Sequence, residues 1–126
     1  MTLLDNVPFA KLLGIEVESV EPGLAVLSMK IRQELKQNHG VAHGGSIAAV
    51  IDSAMAIAIM PLLAENERTT TVDLTIHYLR PLTEGTARAS ARVVRAGKRV
   101  ITVSAELFDH REKLAATAIS TYLRLS

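Results

Sequence analysis

The 126-residue chain contains no cysteine. No disulfide framework and no thiolate nucleophile can be drawn for it, and the absence says little about compartment. Aromatic residues make up only 3% of a chain that is 48% hydrophobic, so the interior must be packed from small and β-branched side chains. That favours close contact between a helix and a sheet. An excess of one charge is also missing. Fourteen basic and thirteen acidic residues leave +1, with no block of five or six like charges, which gives nucleic-acid binding no support. The opening MTLLDNVPFAKLL lacks the basic start and long apolar core of a secretory signal, and a cytoplasmic location is expected. The longest apolar stretch, Ile47 to Leu63, falls short of the ~20 residues of a membrane span and carries Asp52, Ser53 and Pro61, so no membrane association is expected.

What is present reads as one domain over residues 1–126, a size at which about two thirds of the unfolded chain's surface is buried. The mean hydropathy of +0.24 is high for so short a chain and points to apolar surface covered by further copies of itself. Asp5-Asn6 before Pro8 signals a helix start and Gly14 a stop, giving a short helix over Val7 to Leu13. A strand from Ile15 to Glu18, a turn at Pro22-Gly23 and a strand over Leu24 to Arg32 form a first hairpin. Gln33 to Ala42 reads as polar loop. The run from Gly45 to about Ala64 is too long for a strand and apolar on nearly every face, which marks a buried helix kinked or ended by Pro61. Its small residues Gly45, Ala48, Ala49, Ser53 and Ala56 would let one side approach a sheet or another helix closely. Strands follow at Thr70 to Leu79, Thr86 to Ala96, Arg99 to Asp109 and Lys113 to Leu125. Ala87, Ala89 and Ala91 line one face of their strand with small residues, and Ala116 and Ala118 repeat the pattern. The fold class is therefore α+β: a long central helix wrapped by a curved antiparallel sheet of five to six strands.

Two features of this helix carry chemistry. His43-Gly44-Gly45 leads straight into it, and a helix N-terminus collects unpaired N–H groups and the positive end of the dipole. Glycine there lets a substrate carbonyl come close, so the turn can hold a developing oxyanion; a plain loop-to-helix turn is the simpler reading. The second feature is Asp52, an isolated acid nine residues after His43 with Ala48, Ala49 and Ala56 one turn away. An unpaired buried carboxylate costs several kcal/mol, which favours a role that repays it. It could attack a thioester or activate a water. Gly44 and Asp52 are eight residues apart on one helix, about 12 Å along its axis. They cannot both touch one carbonyl, so a working site would combine the turn of one chain with the acid of another, on antiparallel helices side by side.

With Leu13-Gly14-Ile15, Pro22-Gly23, the HGG turn and its acid nine residues on, Val72-Asp73-Leu74, Tyr78-Leu79-Arg80-Pro81 and Gly97-Lys98, most of the chain resembles the PaaI-type thioesterases of the hotdog superfamily, which act on acyl-coenzyme A. HGG alone is weak, and the acid in this order makes it more specific. The resemblance implies a hotdog fold and hydrolysis of acyl-CoA, with aryl-acetyl, benzoyl-type or medium-chain acyl groups all open. It implies no cofactor beyond the coenzyme A of the substrate, and a homodimer or homotetramer with sites between chains. It also implies that the Gly44 N–H polarises the thioester carbonyl, that His43 supports the turn, that Asp52 is base or nucleophile and that Thr71 positions a water. An amide before the turn, Gln37 or Asn38, orders the site. One branch of the superfamily uses Glu with a hydroxyl four residues later; Asp52 and Ala56 here resemble the Asp branch.

Other residues are weaker candidates. His39 and His43 have a helical metal-ligand spacing, but Gly40 and the loop argue against a metal site. His77 shares a strand face with Thr71, Asp73 and Thr75, opposite Val72, Leu74, Ile76 and Tyr78, and reads as structural. Arg80, Lys98 and Arg99, with Gly45 at the turn, are candidates for contact with coenzyme A, the cations meeting its phosphates. Two other functions fit the same residues: a hotdog dehydratase or hydratase acting on a β-hydroxyacyl thioester with His43 as its histidine, and a non-catalytic acyl-CoA sensor.

Overall fold

A computed structural model describes residues 3–125 of the chain. Helix α1, Pro8–Leu13, begins where proline's fixed φ suits the first helical position and ends at Gly14, whose left-handed φ of 73° lets its N–H reach back to the carbonyls of Ala10 and Lys11. Val7 rather than Asp5 or Asn6 takes the N-cap position, without a side-chain cap bond. The first hairpin is β1, Glu16–Glu21, and β2, Leu24–Lys30. The central helix α2 runs Gly44–Ile59 and tightens into a 3-10 turn over Met60–Leu62, where Pro61 cannot continue the α ladder. Strands β3, Arg68–Tyr78, β4, Thr86–Ala96, β5, Val100–Phe108, and β6, Leu114–Leu125, follow. All six join one antiparallel sheet in the order β1-β2-β4-β5-β6-β3.

The sheet curls round α2. Ile47, Val50, Ile51, Ala54, Met55 and Ala58 are buried on the helix, and Ala87, Ala89 and Ala91 of β4 are fully buried beneath them. Bulk on the helix therefore meets absence of bulk on the sheet, each buried Ile or Met contributing about 1.5–3 kcal/mol. The small-residue stripe does not make this contact. Gly45, Ala48, Ala49, Ser53 and Ala56 are exposed or half-buried, on the side of α2 turned away from the sheet. The stripe is thus only partly covered by the chain's own sheet, Ser53 and Ala56 sharing a cavity with Thr69 and Thr71 of β3 and Tyr122 of β6. Gly44–Leu62 is as long and apolar as a membrane span, and half of it is buried within the protein.

The segment between β2 and α2 is more ordered than a polar loop. It holds 3-10 turns at Gln33–Leu35 and Asn38–Gly40, buries Leu35 and Ala42, and closes on itself through the Lys36–Ala42 bridge. Ala42 N–H donates to Leu82 O at 2.8 Å and His43 N–H to Leu35 O at 2.8 Å. These bonds fix the start of α2 against the link from β3 to β4.

Strand β3 lies at the edge of the sheet, and its pairing with β6 slips by one residue between Thr71 and Asp73. This β-bulge at Val72 overturns the simple alternation. A bulge adds a residue on one strand only, so side chains beyond it change face. Thr71 consequently points toward α2 with Leu74, Ile76 and Tyr78, whereas Asp73, Thr75 and His77 take the outer side.

Candidate active site

The glycine turn is built by its own histidine. His43 caps α2, with Nδ1 accepting the Gly45 N–H at 2.8 Å. The Gly45 donor is thereby used, and the neutral ring carries its proton on Nε2. Gly44 is the first helical residue, so its N–H has no carbonyl one turn back. Tyr78 packs on it: the phenol donates to Gly44 O at 3.0 Å, and a Cβ at Gly44 would come within 3.4 Å of the ring. Gly44 and Gly45 open on a cavity of about 540 Å³ together with Gln37, Tyr78, Arg80 and Leu82. Of the two candidate amides, Gln37 lines this cavity and Asn38 does not.

Asp52 faces a different cavity, of about 230 Å³, with Leu4, Val7, Ser53, Ala56, Met60 and Thr71 among its walls. The two cavities have no residue in common, as the axial separation along α2 requires. The carboxylate is not isolated. Its Oδ1 accepts from Thr71 Oγ1 at 3.2 Å and from Tyr122 Oη at 2.5 Å, and Tyr122 also lies 3.1 Å from the main-chain O of Asp52. Burial first, then the hydrogen bond and negative charge of Asp52, hold the Tyr122 phenol protonated far above its ordinary range, outweighing the opposing hydroxyls of Thr71 and Ser120. Tyr122 and Tyr78 are the site residues that reading the chain missed. Both are inward positions of strands beside the helix, and Tyr78 was visible only as part of a motif.

The basic candidates separate. Arg80 lines the cavity of the glycine turn and also an adjoining hollow of about 350 Å³ with His110, Arg111 and Lys113. Lys98 and Arg99 sit in the turn between β4 and β5 and wall neither the Gly44 nor the Asp52 cavity. The register explains this: Val100 pairs with Leu123, and Tyr78 pairs with Ala116 at the far end of β6. Within one chain Lys98 and Arg99 are therefore at the opposite end of the sheet from Arg80 and Gly45. His39 has a left-handed φ of 68° inside its 3-10 turn, so it and His43 do not share a helix face. No cluster of three or more metal-capable side chains occurs among the described residues. His77 is exposed on the outer side of β3.

A long helix wrapped by a six-stranded antiparallel sheet, with a glycine turn at its start and an acid in its middle, defines a thioester hydrolase of the hotdog class. The family model of the thioesterase superfamily matches residues 39–116, more than half of the chain, and the chain belongs to that superfamily. It is similar to acyl-coenzyme A thioesterase PaaI of Escherichia coli K12, at 30% identity over 90% of this chain and 80% of that protein. It is likewise similar to the medium/long-chain acyl-CoA thioesterase YigI of the same strain, at 29% identity over 94% and 86%. In fold it matches the crystal structure of a thioesterase from Haemophilus influenzae with a TM-score of 0.92, at 22% identity over 98% of this chain and 86% of that one.

Proposed function

We propose that the protein hydrolyses acyl-coenzyme A thioesters to the free acid and coenzyme A, at sites shared between copies of the chain. Asp52 serves as base or nucleophile and the Gly44 N–H as oxyanion donor. The observation that carries this reading is the division of the machinery along α2: a donor without an intrahelical acceptor opens on one cavity, and a carboxylate held by two hydroxyls opens on another. Two antiparallel α2 helices meeting through the Ala48, Ala49, Ser53 and Ala56 stripe would bring the Gly44 of one chain to the Asp52 of its neighbour. The free edge of β3 offers a surface for a continuous sheet between the same two chains. Such a homodimer, or a homotetramer made of two, is the working unit.

In that site the thioester carbonyl oxygen accepts from Gly44 N–H, and the negative charge that develops on it is stabilised there and by the start of the helix. Asp52 either attacks the carbonyl carbon, expelling the coenzyme A thiolate and leaving a mixed anhydride that water then hydrolyses, or takes a proton from a water that attacks; in both cases that water's proton ends on the departing thiolate. Thr71 orients the carboxylate and the water, His43 holds the turn, and Gln37 rather than Asn38 supplies the amide at the cavity. The phosphates of coenzyme A fall to Arg80 with Arg111 and Lys113 beside it, while Lys98 and Arg99, at the Asp52 end of the sheet, approach from the other chain. The apolar cavity beside Asp52 suits benzoyl-type, aryl-acetyl or medium-chain acyl groups. No cofactor takes part, and the setting is cytoplasmic. The dehydratase alternative weakens because His43 would be its base, and Nδ1 is committed to the cap.

The test is thiol release from a panel of aryl and alkyl acyl-CoA substrates, with the wild-type protein beside Asp52→Asn. Turnover that falls at least a hundredfold in the folded variant supports the assignment; full activity in Asp52→Asn ends it, and binding without turnover in the wild type revives the sensor.

A further inference from the structure

Asp52 has two carboxylate oxygens, and the fold treats them differently. Oδ1 takes both hydroxyl donors, Tyr122 at 2.5 Å and Thr71 at 3.2 Å, while no hydrogen bond reaches Oδ2 from the described residues. The two donors are cross-strand neighbours, since Thr71 pairs directly with Tyr122. The bulge at Val72 is what turns Thr71 inward to meet the same oxygen. Tyr122 is 2% exposed, so its ring is fixed by the core and its hydroxyl has no bulk water to prefer. By lying between Oδ1 and the main-chain O of Asp52, it ties the side chain to its own backbone and limits rotation about χ1.

We infer that Tyr122 is a positioning residue for the hydrolysis, which with Thr71 pins Oδ1 of Asp52 and leaves Oδ2 as the oxygen that meets the substrate or the attacking water. This rests on the reading of Asp52 as base or nucleophile. The two donors fix the geometry of the carboxylate, and reactive groups must be held in near-attack positions for fast turnover. The phenol stays protonated across the working range, so the clamp does not open by its own titration. Around Asp52 the walls bring Leu4 and Val7 from the start of the chain, Ser53, Ala56, Ile57 and Met60 from α2 and its 3-10 extension, Thr69 and Thr71 from β3, and Tyr122 from β6. Tyr122 is the one titratable partner among them.

The experiment uses Tyr122→Phe, which keeps the ring and deletes the donor, and Thr71→Val, which deletes the other donor on an exposed strand position. Each is assayed for kcat and KM separately, with Tm measured beside them. In Tyr122→Phe kcat falls about tenfold and KM stays within about twofold, because the clamp acts on the reacting group and not on binding. The fall is smaller in Thr71→Val, whose bond is longer. A residue that merely fills the core would lower Tm and leave kcat of the folded protein in place. An unchanged kcat in folded Tyr122→Phe overturns the inference; should that variant not fold, an unchanged kcat in Thr71→Val overturns it. Failure of the underlying reading looks different, since Asp52→Asn would then be active whatever the Tyr122 variant does.

Discussion

If each site takes its oxyanion donor from one chain and its carboxylate from another, two dead variants should make a live enzyme. Gly44→Pro deletes the donor at the first helical position, the one place in a helix where proline is tolerated. The nearest obstacle to its new side chain is the Tyr78 ring, 3.4 Å from the Cβ position. Asp52→Asn removes the carboxylate and keeps the shape. The yield of mixing follows from the geometry. After dissociation and random reassociation of equal amounts, about half of the pairs are mixed. In each mixed pair one site has Gly44 and Asp52 both intact, and the other has both altered. Thiol release should therefore recover to about one quarter of the wild-type rate, against a background near zero for either variant alone. The expected recovery depends on the ~12 Å between the two groups along α2 and on cavities that share no residue. Recovery of only a few per cent, in oligomers confirmed by tagged pull-down to be mixed, refutes a shared site and returns the chemistry to one chain.

Three further outcomes are expected. Ala89→Leu inserts bulk where β4 lies under α2 and should cost about 1–3 kcal/mol, read as a fall of several degrees in Tm; an unchanged Tm contradicts the tight helix-sheet contact. Arg80→Ala should raise KM for acyl-CoA about tenfold and leave the phosphate-free acyl-pantetheine analogue unaffected, with the wild-type KM rising with salt. An equal effect on both substrates would remove Arg80 from phosphate contact. Ala49→Leu, on the outward stripe of α2, should shift the protein toward smaller species in sedimentation and reduce turnover in parallel; unaltered assembly and rate would place the helix pairing elsewhere.

Most of the element order was legible because its causes are local. The alternation in Thr86–Ala96 set β4 to its observed bounds, and Pro8, Gly14, Pro22-Gly23 and Pro61 punctuated the chain where the backbone turns. Asp52 was conspicuous since a charge in an apolar helix calls for a reason. What stayed hidden depends on contacts between distant segments. A bulge leaves the composition of β3 unchanged, so alternation put Thr71 on the same face as His77, and the slip at Val72 separates them. The partner of Asp52 on β6 is 70 residues away, and nothing near Tyr122 marks it. The stripe of small residues announced a close approach without saying to what, and only the fold shows how little of it the chain's own sheet covers. That Gln37 and not Asn38 lines the cavity of the glycine turn depended on the 3-10 turn at Asn38–Gly40, which composition does not announce.

The edge position of β3 has a consequence for handling the protein. Eleven residues of strand end the sheet on one side, and from Thr69 to Val72 none of them is charged. Natural sheets usually protect so long a border with lysine, proline or an early end to the strand. A bend at Val72 is the chief protection here, and it interrupts the border without closing it. Left uncovered, this border would present a template for foreign strands, and the protein's loss from solution would register as turbidity.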